Sequence, residues 1–169
     1  MRSNDMQWDF WTLSPESADQ LAILMSDRGT PRAWRNMNGY SSHTYSWINQ
    51  AGERFWVKYH FKTVQGAENF ADAEAKAMTA DDPDFHRRDL RAAIDRGEFP
   101  EWRLEMQIMP FADAADYRFN PFDLTKVWPH YDYPAYPGGA AGSEPKPANF
   151  FAEVEQSSFS PSNLVRGSV

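Results

Sequence analysis

The sequence predicts an α+β protein with a partial antiparallel β-barrel, a helical insertion and a proline-rich final segment. Two segments with strand periodicity, 43–48 and 54–62, flank the turn Asn49-Gln50-Ala51-Gly52. Large side chains occupy both faces of the second segment, which is typical of a barrel wall covered on its outside. Two charged helical pieces within 71–97 form the predicted insertion.

The first predicted helix begins at Ser14, because a serine suits the N-cap and Pro15 suits the first helical position. It ends at Gly29, and Pro31 follows. The apolar residues between these limits fall on one helical face: Ala18, Leu21, Ala22, Leu24 and Met25.

The pair Asp82-Pro83 breaks the helical insertion into two pieces. A third strand is predicted over 102–108, where apolar and polar residues alternate until Pro110. Beyond it the chain is irregular, and we expect 134–149 to be poorly ordered. Residues 138–143 are glycine, alanine and serine, which leave little side chain to pack in a strand.

Composition excludes several classes of function. The 169 residues suffice for one domain with a core, and the net charge of −7 disfavours nucleic acid and anionic membranes as partners. There is no cysteine, no apolar run long enough to cross a bilayer and no leader pattern, so we expect a cytoplasmic location. The histidines lack metal-ligand spacing with carboxylates, so no metal site is predicted.

Six segments, in order along the chain, together resemble the haem catalases. They are MQWDFWTLSPES at 6–17, MSDRG at 25–29, MNGYSSHTYSWIN at 37–49, GERFWVKYHFKT at 52–63, YRFNPFDLTKVWPH at 117–130 and FFAEVEQSSFSPSNLV at 150–165. The resemblance implies that 1–133 is the second half of the core barrel with its helical insertion. It implies that 134–169 begins the segment that wraps around a neighbouring subunit of a homotetramer.

The resemblance also implies the activity and its cofactor, which are disproportionation of hydrogen peroxide and haem. In the family a distal histidine in a Val-His-Ala-Arg-Gly motif, a distal asparagine and an axial tyrosine in an Arg-x-x-x-Tyr motif perform the chemistry. Neither motif occurs in this sequence, and the asparagine falls outside the matched segments. We therefore assign no catalytic residue and no metal ligand, and we expect the chain by itself to be inactive.

Two residues match family positions near the haem without touching the reacting atoms. His43 matches a histidine that supports the arginine beside the axial tyrosine, a role in which hydrogen bonds tune the metal. Phe159 matches a residue that packs on the proximal side of the haem. The alternative for each is an ordinary core residue.

Many catalases also bind NADPH, and the resemblance assigns this site to Ser26, Arg28, Asn38, Tyr40, Lys62, Val127, Trp128 and His130. Arg28 and Lys62 suit a phosphate, and Trp128 offers a flat surface. Alternatively, Arg28 pairs with Asp27 or Glu16, and His130 is a turn residue. Asp19 and Ile23 depart from the pattern of the NADPH-binding members, since an acid is unfavourable near an anion.

A different class of function is a non-catalytic fragment that binds an apolar ligand or adds to a full-length catalase. The absence of the Arg-x-x-x-Tyr motif favours it. A carbohydrate-binding module is a weaker alternative, because the seven tryptophans are scattered over predicted helix, loop and strand rather than on one face.

Overall fold

The computed structural model describes residues 3–142, 149, 151 and 155, which fall into two compact units. Unit 1 comprises residues 1–37 and 66–91, and unit 2 comprises residues 38–65 and 92–169. No helix in the described ranges combines the length and the apolar character that a bilayer crossing requires.

Four α-helices include residues of unit 1: α1 (Asn4–Leu13), α2 (Ala18–Leu24), α3 (Asp72–Asp81) and α4 (Phe85–Asp95). We did not predict α1, which begins where the Ser3 hydroxyl accepts a hydrogen bond from the Met6 amide at 3.3 Å. Single 3₁₀ turns cover Pro15–Ser17, Asp27–Gly29 and Trp34–Asn36.

The helix predicted between Ser14 and Gly29 is shorter than expected. Only Ala18–Leu24 is α-helical, and Ser14 makes no side-chain capping bond. The Ser26 hydroxyl accepts from the Arg28 amide and starts a separate turn. Gly29 packs so closely that an added Cβ would lie 1.9 Å from the Leu24 carbonyl oxygen, which explains glycine here.

The predicted break in the insertion is confirmed. The Asp84 amide donates to the Asp82 side chain at 3.0 Å, and Pro83 between them has no amide hydrogen. The Arg88 guanidinium binds the same carboxylate through its Nε at 2.8 Å. Asp82 therefore stabilises the end of α3 and the first turn of α4 together.

Unit 2 contains a five-stranded antiparallel sheet and the short helix α5 (Asp113–Asp116). Its strands are β1 (Gly39–Tyr40), β2 (Tyr45–Ile48), β3 (Arg54–Thr63), β4 (Glu101–Pro110) and β5 (Ala135–Gly142). The order is β1-β3-β4-β5, and β2 also pairs with β3. The predicted strands and the turn at Gly52, which has a φ of +82°, are confirmed. Within the described residues the sheet does not close into a barrel.

The glycine-rich segment is a correction to the sequence analysis. We expected little strand at 138–143 and poor order over 134–149, but Ala135–Gly142 forms β5 along the edge of β4. Glycine has no side chain to pack, but its backbone still forms hydrogen bonds. The segment therefore pairs with the free edge of β4. A bulge between Leu104 and Glu105 adjusts the register. Residues 143–148 lie outside the described part.

The chain from Pro121 to Tyr133, here called the covering segment, packs on one face of the sheet in unit 2. On that face the side chains of Met109, Gln107 and Trp128 are almost fully buried, and Val57 is buried on the opposite face. The Trp128 indole nitrogen donates to the Pro121 carbonyl oxygen at 3.1 Å. This bond holds the two ends of the loop together, and Gln107 of β4 donates to the Trp128 and Tyr133 carbonyl oxygens, which fixes the segment on the sheet.

Candidate functional site

A cluster of basic and aromatic side chains lies on the sheet of unit 2. Register places Tyr40 of β1 opposite His60 of β3, with ring centroids 5.3 Å apart. The Lys62 ammonium donates to the Tyr40 hydroxyl at 2.9 Å and lies 4.6 Å from its ring centroid. His130 meets His60 edge to face at 5.6 Å. These four residues form the histidine–lysine cluster.

His60 is the most constrained member of the histidine–lysine cluster. Its Nε2 lies 2.9 Å from Gln107 Oε1, and its Nδ1 is buried without a hydrogen-bond partner in the described part of the chain. Burial lowers the pKa of His60, and the charges of Lys62 and His130 lower it further. The hydrogen bond to Gln107 and the charge of Glu105 oppose this change. Burial therefore favours the neutral form of His60, and because the Gln107 oxygen can only accept, Nε2 is the ring nitrogen that carries the proton.

Gln107 joins the cluster to the covering segment. Its amide nitrogen donates to the carbonyl oxygens of Trp128 at 3.0 Å and Tyr133 at 2.6 Å. Both ends of this buried amide are therefore satisfied, as burial requires. The arrangement couples the position of His60 to that of the segment carrying His130.

Lys58 lies two residues before His60 on β3, on the same face of the sheet, and its side chain is buried. Its ammonium donates to the Lys126 carbonyl oxygen at 3.1 Å and lies 5.4 Å from the Trp128 ring centroid. Burial lowers the pKa of Lys58, and the charge of Asp123 opposes this. The side chain is structural, because the covering segment shields it from solvent.

The structure brings together three of the eight residues predicted for NADPH: Tyr40, Lys62 and His130. Asn38 accepts a hydrogen bond from the Thr63 amide at 3.0 Å, so its side chain orients the start of β1. Trp128 is only 2% exposed and does not present the flat surface we expected, because the sheet covers it. Val127 beside it is 76% exposed.

Ser26 and Arg28 belong to unit 1. The Ser26 hydroxyl donates to the Ile23 carbonyl oxygen at 2.7 Å and accepts from the Arg28 amide. The Arg28 guanidinium forms no ion pair with any carboxylate of the described residues, so neither predicted pairing, with Asp27 or with Glu16, is present.

The structure tests neither of the two roles predicted near the haem. His43 is exposed in the described part of unit 2 and makes no hydrogen bond there. Phe159 lies outside the described residues. The roles of both stay predictions.

Sequence reasoning assigned no role to His60 or Gln107. Both lie on alternating positions of strands that the sequence predicts, at the same side of the sheet as Lys62. The signal was a histidine between two lysines, Lys58 and Lys62. Its meaning depends on the cross-strand neighbour, which periodicity within one strand does not identify.

The described residues offer no site for a bare metal ion. They contain no group of three or more His, Cys, Asp or Glu side chains that could hold a metal ion. The sequence also lacks the Arg-x-x-x-Tyr motif that supplies the axial ligand in the resembling family. No step of chemistry at the iron follows from this chain's own residues.

The protein is of the α+β class. It has an open antiparallel sheet with the histidine–lysine cluster on one face. A family model described as catalase matches residues 1–169. The chain belongs to the catalase family.

Individual relatives agree with this membership. The chain is 61% identical over 163 residues to the bromoperoxidase-catalase of Streptomyces venezuelae, covering 96% of this chain and 34% of that protein. It is 55% identical over 167 residues to a catalase of Aliivibrio fischeri, covering 99% and 35%. A bacterial catalase structure matches 99% of this chain and 33% of its own, with a TM-score of 0.90 and 52% identity. The chain thus spans about a third of the length of these relatives.

Proposed function

We propose that this chain is the central part of a haem catalase that converts two molecules of hydrogen peroxide to two of water and one of oxygen. The observation that carries the proposal is the catalase fold match over 99% of the chain at a TM-score of 0.90. When bound, the haem supplies the redox chemistry. This chain supplies the sheet and the covering segment around which the rest is built.

The open face of the sheet supports this role. On the face opposite His60, Trp47 donates to the Tyr59 hydroxyl at 2.7 Å, and Tyr45 packs on Tyr59 at 5.4 Å. Tyr45 and Tyr136 are 45% and 52% exposed, which is unusual for aromatic residues beside a buried strand. We propose that further segments of a catalase cover this face and close the barrel.

A graft tests the proposed activity. The segment of the Streptomyces venezuelae bromoperoxidase-catalase that aligns with this chain over 163 residues is replaced by the present sequence. We expect the graft to release oxygen from peroxide within about tenfold of the parent, since the groups that perform the chemistry come from the parent. The control is the parent lacking that segment. A graft that folds and binds haem yet releases no oxygen contradicts the proposal.

We further propose that the histidine–lysine cluster of unit 2, with Asn38 and Val127, contributes to an NADPH site. The NADPH roles of Ser26 and Arg28 stay predictions from the sequence. Lys62 supplies a positive charge beside Tyr40, and His60 Nδ1 is a buried acceptor still lacking a partner in the described part. In the graft, Lys62→Gln is expected to weaken NADPH binding about fivefold or more. Arg54→Gln, at the other end of the same strand, is the matched control. Equal binding by both variants contradicts the assignment.

The alternative function is that of a non-catalytic fragment that adds to another catalase chain. The observation in its favour is the same open aromatic face around Tyr59. Mixing the purified chain with the segment-deleted parent distinguishes the two proposals. Restored oxygen release from two separate chains supports assembly, whereas activity from the graft alone supports the continuous enzyme. The homotetramer and the haem-side roles of His43 and Phe159 belong to the continuous enzyme.

A further inference from the structure

Unit 1 contains a cleft that plays no part in the proposed activity. It has a volume of about 410 Å³, within the range of small-molecule sites and at its lower end. The start of α4, the inner side of α3 and the loop from Gly29 to Trp34 line it. This size suits a ligand of one or two fused rings.

The floor of the cleft is firmly built. The Phe70 amide donates to the Thr30 carbonyl oxygen at 2.7 Å, and the Thr30 hydroxyl donates to the Phe70 carbonyl oxygen at 2.9 Å. A β-bridge joins Pro31 and Asn69 beside them. Two stretches of chain about forty residues apart in sequence are thereby held together, so the cleft does not depend on a single loop.

Aromatic rings form one wall. Trp34 meets His86 edge to face at 6.2 Å, His86 meets Phe85 at 5.9 Å, and Phe85 meets Phe70 at 5.9 Å. None of these three contacts is a stacked one, so a flat ring can stack on the wall. Met78 of α3 also lines the cleft, and its soft thioether suits a flat ring.

Charge does not select the ligand. Asp82 and Asp84 line the cleft, but Arg88 pairs with Asp82 and Arg87 with Asp84. Arg32 lies 5.3 Å from the Phe70 ring centroid and pairs with Glu68 at 3.7 Å. Each carboxylate therefore has a guanidinium beside it, and neither an anion nor a cation gains a free counter-charge.

Two hydrogen-bonding groups remain for a ligand. Trp34 lines the cleft and is 44% exposed. Its indole N–H has no hydrogen-bond partner in the described ranges. His86 Nε2 lies 3.0 Å from the Pro31 carbonyl oxygen, which can only accept, so this nitrogen carries the proton. In the tautomer with the proton on Nε2, Nδ1 is the acceptor. One donor and one acceptor thus accompany the aromatic wall.

From these observations we propose that the cleft binds a neutral, planar heteroaromatic molecule that carries a ring-nitrogen acceptor and an N–H donor. The ring packs against the aromatic wall and Met78, its acceptor receives the Trp34 N–H, and its donor meets His86 Nδ1. The site is independent of the peroxide reaction, because its residues belong to unit 1 and none has a role in the proposed activity.

The probe is 7-azaindole, which has both groups, compared with indole, which has the N–H donor alone. Binding of each probe to the graft is measured by equilibrium dialysis, and the haem absorption spectrum is recorded in parallel to detect binding at the iron. We expect saturable binding of 7-azaindole with a dissociation constant of about 0.1–1 mM, and binding of indole about fivefold weaker.

The variant Trp34→Phe keeps a ring and removes the donor, so it is expected to erase the difference between 7-azaindole and indole. Trp8→Phe, at an exposed tryptophan of α1 outside the lining, is expected to keep the difference. Ala75→Leu fills the cleft and is expected to abolish binding of both probes. The absence of saturable 7-azaindole binding to the graft overturns the proposal, and so does an unchanged preference for 7-azaindole in Trp34→Phe.

Discussion

The amide nitrogen of Gln107 lies 3.0 Å from the carbonyl oxygen of Trp128, and through this bond the covering segment is fixed to the sheet. Gln107 is 2% exposed and also binds His60 and the Tyr133 carbonyl oxygen. A single buried amide thus positions the covering segment and His60 together. Such a side chain is costly to remove, because each of its partners would remain buried without a bond.

Gln107→Leu is therefore expected to reduce the free energy of unfolding by about 2–4 kcal/mol, since leucine keeps much of the volume and leaves buried polar groups unpaired. Denaturant unfolding of the graft measures the loss. Arg103→Leu, on the same strand with a 60% exposed side chain, is the control and should cost less than about 0.5 kcal/mol. Equal losses would place Gln107 among ordinary surface contacts.

His60 predicts a dependence of stability on pH. Burial is the main cause that lowers its folded pKa below the ordinary value of 6.5. As pH falls through 6.5, His60 becomes protonated in the unfolded chain but stays neutral in the folded chain. The free energy of unfolding therefore decreases, and it levels off below the folded pKa. His60→Gln should remove this component. The melting temperature of the graft, measured from pH 5 to 8 for both forms, checks it; a constant difference between them would disprove it.

The chain by itself is expected to have negligible catalase activity. The family's distal histidine and axial tyrosine motifs are absent from its sequence, and loss of a proton-transfer group alone costs about 10²–10⁴-fold in rate. Oxygen release is measured after hemin and peroxide are added to the purified chain, with free hemin as the control. Turnover far above free hemin would show that another residue of this chain serves the iron.

The isolated chain is also expected to self-associate and to melt without a sharp transition. Its open sheet face carries the exposed aromatic residues Tyr45 and Tyr136, and unpaired strand edges invite contacts between molecules. Light scattering and thermal melting test this across a concentration series. A clean monomer with a cooperative melt would instead favour an autonomous binding domain.

In the graft, His43→Ala is expected to leave haem bound while lowering turnover or shifting the haem absorption spectrum. The reason is the proposed hydrogen bond to the arginine beside the axial tyrosine, which tunes the ligand. His43→Phe should be worse, because it adds bulk to a packed layer. Spectra and oxygen release are recorded for all three proteins. If His43→Ala matches the unmutated graft in both, His43 has no haem-side role.

The sequence by itself determined the family and much of the local structure. Motifs such as Trp128-Pro129-His130 identify catalases by residue type, and the strands around Gly52 and the break at Asp82-Pro83 follow from local periodicity and backbone chemistry. These features depend on neighbours in sequence, which is why they can be predicted without coordinates.

Tertiary structure alone decided the rest. Residues 135–142 form β5 because the edge of β4 accepts their backbone, although glycine makes the segment a poor strand by itself. Trp128 became a core residue rather than a ligand surface because the sheet covers it. Burial lowered the pKa of His60, and Gln107 on the next strand fixed which of its ring nitrogens carries the proton. Each outcome depends on contacts between residues far apart in the chain, and the residue types in a single segment do not specify them.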